Sequence, residues 1–513
     1  MWNVRLLFPL VGLLLAGCAT LPTNIERAES HTMSDTDNTR LAQASRSKLQ
    51  GHAGESAFLP LPSGVDALLA RIVLAEAAER SLDVQYYIWH NDLTGRHFGN
   101  ALLRAADRGV RVRVLIDDVG AKANDETLLA LDAHPAIEIR LFNPIASRSF
   151  RGIGMLGDFT RLNRRMHNKA FVADNQAAIL GGRNIGDEYF EASGTVAFGD
   201  LDVLTLGPAV AEVSGAFDRF WNSPASIPVA GLLQRKGTAA SLEATRASLA
   251  AFVEQQRDSP YVANARPRLD RLLSADAAGF SWGKAHVLFD DPAKVSRDRE
   301  DAAGHLIPQF GGLGMRIHKE LLVVSPYFIP GKAGVAWLRA LVERGVRVTV
   351  LTNSLAATDV GMVHAGYSRY RESLLEGGVR LFEYRPEALG IAGKEGIGSS
   401  RASLHAKTFV FDHQAVFIGS LNLDPRSMQL NTEIGVVCES ASLAQEVAGK
   451  LEGNLDRIAW RVERVTDPSG ATRVSWVETG EGGERRLFDE PGVGLLRRLS
   501  LWVLGLLPIE AQL

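Results

Sequence analysis

The chain has 513 residues, 46% of them apolar and 22% charged, with 56 Lys and Arg against 59 Asp and Glu for a net charge of −3. Those proportions exclude a disordered chain, a collagen-like repeat and a disulfide scaffold, and the near-neutral total argues against a dedicated nucleic-acid binder. At roughly 150 residues per domain, the length predicts about three units.

The first residues, MWNVRLLFPLVGLLLAGCATLP, hold one charge, Arg5, before an apolar run from Leu6 to Ala16. That run is too short to cross a bilayer and suits the apolar core of a signal peptide. LAGC resembles the lipobox of bacterial lipoproteins. It implies a signal peptide over 1–17, lipidation of Cys18 and a lipid-anchored protein of the bacterial cell envelope that faces the periplasm. Ala19 in the next position resembles the pattern of outer-membrane sorting. Several acyl chains on one cysteine anchor stably where a single chain is marginal. Cys438, the other cysteine, lies far along the chain, so no structural disulfide is expected. Residues 18–56 are rich in Ser, Thr, Asn, Asp and Gln and read as a polar tether.

Beyond the tether one unit is written twice. Ser63-Gly-Val-Asp66 opens a helix with Val65, Leu68, Leu69 and Ile72 on one face. SLDVQYYIW, a helix through Phe98, Leu102 and Leu103, a stop at Gly109 and the strand VRVRVLID follow. Later come LLVVSPYFI, a helix around Trp337 to Val342, a stop at Gly345 and VRVTVLTN. RGVRV begins at Arg108 and again at Arg344, 236 residues on. Strand, helix, strand in this order predicts an α/β fold of two similar lobes with parallel or mixed sheets. The first lobe is placed at 57–235 and the second at 279–465. An Ala-, Leu-, Gln- and Arg-rich stretch at 236–278 reads as a helical insert, and 466–513 as a C-terminal tail. LLRRLSLWVLGLLP in that tail suits a membrane-interfacial helix or a docked core helix.

Each lobe carries the same constellation. MHNKAFVADNQAAILGGRN supplies His167, Lys169, Asp174 and Asn184; LHAKTFVFDHQAVFIGSLN supplies His405, Lys407, Asp412, Ser420 and Asn422. Both read as β-hairpins turning at Asp174-Asn175 and Asp412-His413. Residues i and i+2 of a strand share a face, so each histidine projects beside its lysine. A lone HxK arises by chance, whereas two copies at matched positions of a repeat, 238 residues apart, do not.

This doubled HxKx4Dx6G[GS]xN pattern resembles that of the phospholipase D superfamily, and from about residue 56 the chain is similar to its cardiolipin synthase branch. The likeness runs through LDVQYYIW, GGRNIGDEYF, FDDPAK, TNSLAATDV, FIGSLNLDPRS and LPIEAQL. It implies two pseudo-symmetric lobes with one active site at their interface. It further implies a phosphatidyltransferase that makes cardiolipin from phosphatidylglycerol and a second phospholipid, phosphatidylethanolamine being the suggested donor, through a phosphohistidine. The family order makes His167 the nucleophile and His405 the acid and base; nothing in the sequence itself separates the two. Lys169, Lys407, Asn184 and Asn422, with Ser420, are the phosphate-binding set, and no metal or cofactor is required. Asp174 and Asp412 brace the motifs. Glu433 in NTEIG matches the carboxylate that orients a histidine, and Asp202 in GDLDV is chosen as its counterpart. Ser420 stands where the first copy has Gly182, so one side lacks a hydroxyl contact.

Both motifs lie on one chain, so a monomer suffices. The expected partners are phospholipids and the bilayer, without nucleic acid; an activating protein stays open. Six basic residues between Arg148 and Lys169 against the single acid Asp158 fit either headgroup attraction or a solvated loop. Three other readings stand beside the transferase: a phospholipase D releasing phosphatidic acid, a periplasmic phosphodiesterase or nuclease, and a scaffold without activity. Hydrolase and transferase share every catalytic residue and differ in water exclusion.

Overall fold

The computed structural model describes residues 20–498, apart from 122–123, 195, 274–278, 315, 388–401, 467–469 and 481. In the first lobe the strands are β1 (Ser56–Leu61), β2 (Ser81–Tyr86), β3 (Arg111–Asp117), β4 (Ile137–Phe142), β5 (Ala170–Ala173), β6 (Ala177–Gly181), β7 (Ala197–Gly199), β8 (Asp202–Leu206) and β9 (Ser226–Pro228). The second lobe holds β10 (Ser281–Phe289), β11 (Glu320–Val324), β12 (Arg347–Asn353), β13 (Arg380–Tyr384), β14 (Ala402–Leu404), β15 (Lys407–Phe411), β16 (Ala415–Gly419) and β17 (Ile434–Glu439). It continues through β18 (Ala459–Thr466), β19 (Thr472–Gly480) and β20 (Gly483–Leu487).

Hydrogen bonding orders the first sheet β9-β4-β3-β2-β5-β6-β8-β1. The second runs β18-β13-β12-β11-β15-β16-β17-β10, with the same succession of parallel and antiparallel neighbours. The repeat in the sequence is thus a repeat of topology. β10 joins the lobes, because Ser281–Gly283 pair with β1 while Lys284–Phe289 pair with β17.

Alternation along the central strands serves two cores at once. Phe171 and Ala173 face the first lobe's helices, and Phe409 and Phe417 those of the second. The residues between them, Val172, Ala178, Leu180, Val410, Val416 and Ile418, join one buried cluster where the lobes meet. Ser63 caps the helix Gly64–Ala77 by accepting from Asp66 N. Two helices, Ala239–Gln255 and Pro260–Leu273, occupy the insert and lie on the first lobe, held by Arg246 to Asp107 and by the Tyr261 hydroxyl to the Phe190 carbonyl.

Three expectations are corrected. Residues 20–49 form a strap on the first lobe rather than a free tether. Buried Arg140 donates to the Ala28 carbonyl at 2.6 Å and buried Arg113 to the Ser30 carbonyl at 2.8 Å, while Leu21 and Ile25 pack on the core. Arg40–Leu49 is a helix capped by Thr39. The tail from 466 is also lobe: β19 and β20 extend the second sheet beyond β18, and Glu490 pairs with Arg371 at 2.9 Å. The third concerns the basic run, four of whose six cations are paired with acids of the same lobe. Arg148 and Arg151 pair with Asp118, Arg161 with Asp158 and Arg165 with Asp117. Cys18 and the stretch Leu499–Leu507 lie outside the described residues. Among the described residues no helix is long and apolar enough to cross a membrane.

Candidate active site

Each HxK segment leaves its own lobe's sheet and hooks onto the other lobe. β5 begins only at Ala170; before it, Met166 bridges Thr432 and the His167 N–H donates to the Thr432 carbonyl at 2.9 Å. In the second copy β14 pairs in parallel with β7, and the His405 N–H donates to the Gly199 carbonyl at 2.7 Å. The ends of β3 and β12 fix these segments from below. Asp117 accepts the Met166 N–H at 2.9 Å, and Asn353, its counterpart 236 residues on, accepts the Leu404 N–H at 2.9 Å.

The carboxylates cross the interface in the same way. Glu433 of the second lobe takes His167 Nδ1 at 2.8 and 3.1 Å, and Asp200 of the first lobe takes His405 Nδ1 at 2.6 Å. Tyr87 packs edge-on against His167 with ring centres 5.1 Å apart, and Tyr189 does the same for His405 at 5.2 Å. Lys169 and Lys407 each donate to the carbonyl of the histidine two residues before, and both are buried. Both histidines, both lysines, Glu433 and Asp200 therefore meet in one site.

Burial in this crowd of charge moves every group. His167 is pushed well below the usual histidine range, first by desolvation and then by Lys169 and Lys407. His405 is lowered too, by burial and Lys407, but Asp200 opposes the fall. Desolvation takes Lys169 well below its ordinary value and Lys407 down to about 8. Burial lifts Glu433 to about 7 against the pull of Lys169, whereas for Asp200 the burial effect is outweighed by His405 and Lys407, which bring it to about 2. The pairs are alike in geometry and unlike in charge.

Asp202, expected to face His405, is corrected to Asp200. Asp202 instead binds buried Arg71 at 2.8 Å and lies 3.6 Å from Arg183. Gly182 explains both the choice of Asp200 and the departure at Ser420. A Cβ at 182 would lie 2.3 Å from Asp200 Oδ1, so the short carboxylate occupies that space. In the second copy the Ser420 hydroxyl donates to Glu433 Oε2 at 2.5 Å and props the longer carboxylate. Asp174 and Asp412 sit at the hairpin turns, accept backbone N–H groups from residues 79–81 and 318–320, and touch neither histidine. Asn184 and Asn422 are buried past the ends of β6 and β16; Asn184 Oδ1 accepts the Ile88 N–H at 3.1 Å, and the Asn422 amide lies 3.5 Å from the Ser427 hydroxyl. His364 is buried against Arg371 and Glu490, and belongs to the second lobe's interior.

The sequence reading missed Asp200, Asp117, Asn353, Tyr87 and Tyr189. A signal existed for two of them, since Asp117 and Asn353 close the repeated VRVxVL strands at matched positions.

Comparison with known proteins agrees with this geometry. The family model described as "Cardiolipin synthase, PLD-like domain" matches twice, over residues 72–221 and 316–455. The chain is 42% identical over 483 residues to cardiolipin synthase C of Escherichia coli K12, covering 92% of this chain and 99% of that one. It is 32% identical to an uncharacterized protein of Helicobacter pylori 26695, with 91% of each chain covered. Among solved structures, the phosphatidylserine synthase of Haemophilus influenzae Rd KW20 superposes with a TM-score of 0.56 at 15% identity, over 92% of this chain and all of that one, a likeness of fold alone. With two crossed histidine–carboxylate pairs between matched lobes and a relative at 42% identity along almost its whole length, the chain belongs to the cardiolipin synthase family of phospholipase D-like proteins.

Proposed function

We propose that this chain is a phosphatidyltransferase that joins a phosphatidyl group to the glycerol headgroup of phosphatidylglycerol, giving cardiolipin. The crossed carboxylate–histidine pairs carry the chemistry, and the 42% identity to a cardiolipin synthase carries the substrate class. With Nδ1 engaged, each ring acts through Nε2. His167, kept neutral by burial beside two lysines, attacks phosphorus. The new P–N bond replaces the P–O bond to the departing headgroup, and the His405 imidazolium gives that oxygen its proton. In the second half the hydroxyl of phosphatidylglycerol attacks phosphorus, His405 takes the hydroxyl proton, and the P–N bond breaks. A covalent intermediate splits one hard displacement into two easier ones. Asp200 stays ionised and opposes the fall of the His405 imidazolium, which supports the family order of His405 as acid and base and His167 as nucleophile. Lys169, Lys407, Asn184 and Asn422 hold the phosphoryl oxygens as charge develops. Exchange of one phosphodiester for another is nearly neutral in energy, so no nucleotide is needed.

Lipidation at Cys18 would tether the enzyme to the envelope membrane, periplasm-facing, within reach of its lipids. Cys18→Ala is expected to release the protein from the membrane fraction. Activity is tested by lipid mass spectrometry after incubation with vesicles of phosphatidylglycerol and phosphatidylethanolamine. Cardiolipin from wild type and none from His167→Ala is the expected result. Phosphatidic acid without cardiolipin would reassign the chain as a hydrolase.

A further inference from the structure

The lobes share a strand order but not an outer layer. In the first lobe the helix Leu93–Asp107 buries Phe98 completely against the sheet, where its ring stacks on Trp89 at 5.2 Å and meets Phe171 at 5.5 Å. The 236-residue offset that relates Arg108 to Arg344 puts Gly334 in the place of Phe98. The partners of that missing ring are kept. Phe409 stands for Phe171 at the offset of the motifs, and Phe328, bridged to Leu423, stands for Trp89, bridged to Ile185. The helix ahead of the lobe's central strand has shrunk as well, from 14 residues at Gly64–Ala77 to 7 at Leu306–Gly312.

One absent ring and half a helix leave a cavity of about 510 Å³ on the second lobe. Interiors are close-packed, and apolar walls around a void forfeit dispersion contacts, so an opening of this size is not a neutral feature of the fold. Leu321, Val323 and Phe409 form its floor, and half-exposed Trp337 stands at its mouth. Apart from the Trp337 indole and the weakly accepting Met428 thioether, the lining side chains have no hydrogen-bonding group, which suits a hydrocarbon chain and not a sugar or a nucleotide. One end is continuous with the catalytic segments: Leu423 follows Asn422, and Met428 follows Ser427, whose hydroxyl meets the Asn422 amide.

We propose that this cavity takes one acyl chain of the phospholipid whose phosphate is held at the site, an inference that rests on the phospholipid substrate argued above. His167 and His405 are only 8% and 7% exposed, so phosphorus must leave the headgroup plane to reach them. Lifting the lipid drags methylenes toward water, and an apolar slot beside Asn422 removes that penalty. The first lobe, with Phe98 in place, holds only a small apolar pocket of about 70 Å³ beneath the same helix, so the two lobes differ for lipid although they match in their motifs.

The test uses full-length protein and vesicles of phosphatidylglycerol with a diazirine near the end of one acyl chain. Irradiation is expected to place the label on peptides containing Phe310, Trp337 or Met428. Labels spread over other surfaces, or on the first lobe, would overturn the proposal. Gly311 borders the cavity and a Cβ there meets open space, so Gly311→Trp adds an indole at its rim; Ala333→Trp, at another lining position, serves should the first variant fold poorly. Each is expected to lower kcat/KM for dioleoyl relative to dihexanoyl phosphatidylglycerol at least about tenfold, since each methylene in an apolar pocket discriminates strongly. An unchanged ratio would also overturn it. Labelling does not require turnover: wild-type protein that made no cardiolipin from either lipid would refute the substrate reading, while the label pattern would still decide the cavity.

Discussion

Asp200 and Asp202 lie two residues apart in GDLDV and have separate tasks. Asp200→Asn removes the charge that stabilises the His405 imidazolium, so kcat is expected to fall by about 10²–10⁴, the usual worth of a positioned acid–base group. Its melting temperature should stay near that of wild type. Asp202→Asn instead strands Arg71 in the core, with an expected loss of about 3–5 kcal/mol in stability and near-normal kcat per folded molecule. Steady-state kinetics and thermal unfolding of both variants decide this, and the reverse pattern would restore Asp202 to the site. Lys407 sets a pH limit. Burial brings its ammonium down to about 8, so above that pH the free enzyme loses a charge that the phosphoryl oxygens need. The profile of kcat/KM should therefore bend downward near pH 8. The kcat profile should bend higher, because a bound phosphate holds the proton in place. Lys407→Arg should remove the Lys407 share of that bend and leave the share of Lys169, whose ammonium burial also lowers, at a lower absolute rate, guanidinium being charged throughout. A wild-type profile level through pH 9.5 would deny Lys407 this role.

The hairpins are the elements in which sequence and structure agree most closely. Asp174-Asn175 and Asp412-His413 adopt positive φ between 51° and 55°, the left-handed pairs of a tight hairpin turn, which Asp and Asn tolerate. Each aspartate also accepts three successive N–H groups at the start of a neighbouring strand. Asp174 is wholly buried and Asp412 half-buried. Asp174→Ala is thus expected to cost about 3 kcal/mol, with its donors stranded, and Asp412→Ala about 1–2 kcal/mol, since water reaches the second turn. Equal losses in chemical denaturation would contradict that reading. Such turns are legible because local chemistry dictates them. Asp200 was not, because GDLDV offers two acids at i and i+2 and the sequence does not reveal that β8 starts only at Asp202, leaving Asp200 in the space beside Gly182. The strap at 20–49 escaped for another reason: a count of apolar residues is blind to carbonyls held by buried Arg113 and Arg140. The cavity beside Phe409 was unreadable until the shortened helix Leu306–Gly312 was set against its counterpart.

At the scale of the molecule, the repeat explains why one chain makes one site. Neither lobe owns a complete histidine: His167 depends on Glu433 and Thr432, and His405 on Asp200 and Gly199, all from the opposite half. The lobes are further fused through β10 and through the shared cluster of Val172, Leu180, Val410 and Ile418. Exchange of halves between molecules would have to break that cluster and the β1–β10 pairing together. An equimolar mixture of His167→Ala and His405→Ala proteins is therefore expected to remain as inactive as either alone, at any concentration and after long incubation. Mixed unfolding and refolding of the same pair tests the converse, since a swapped dimer would hold one site with both histidines. Activity that appears on simple mixing would mean that the halves already trade partners in the native state, and that the monomer is not the catalytic unit.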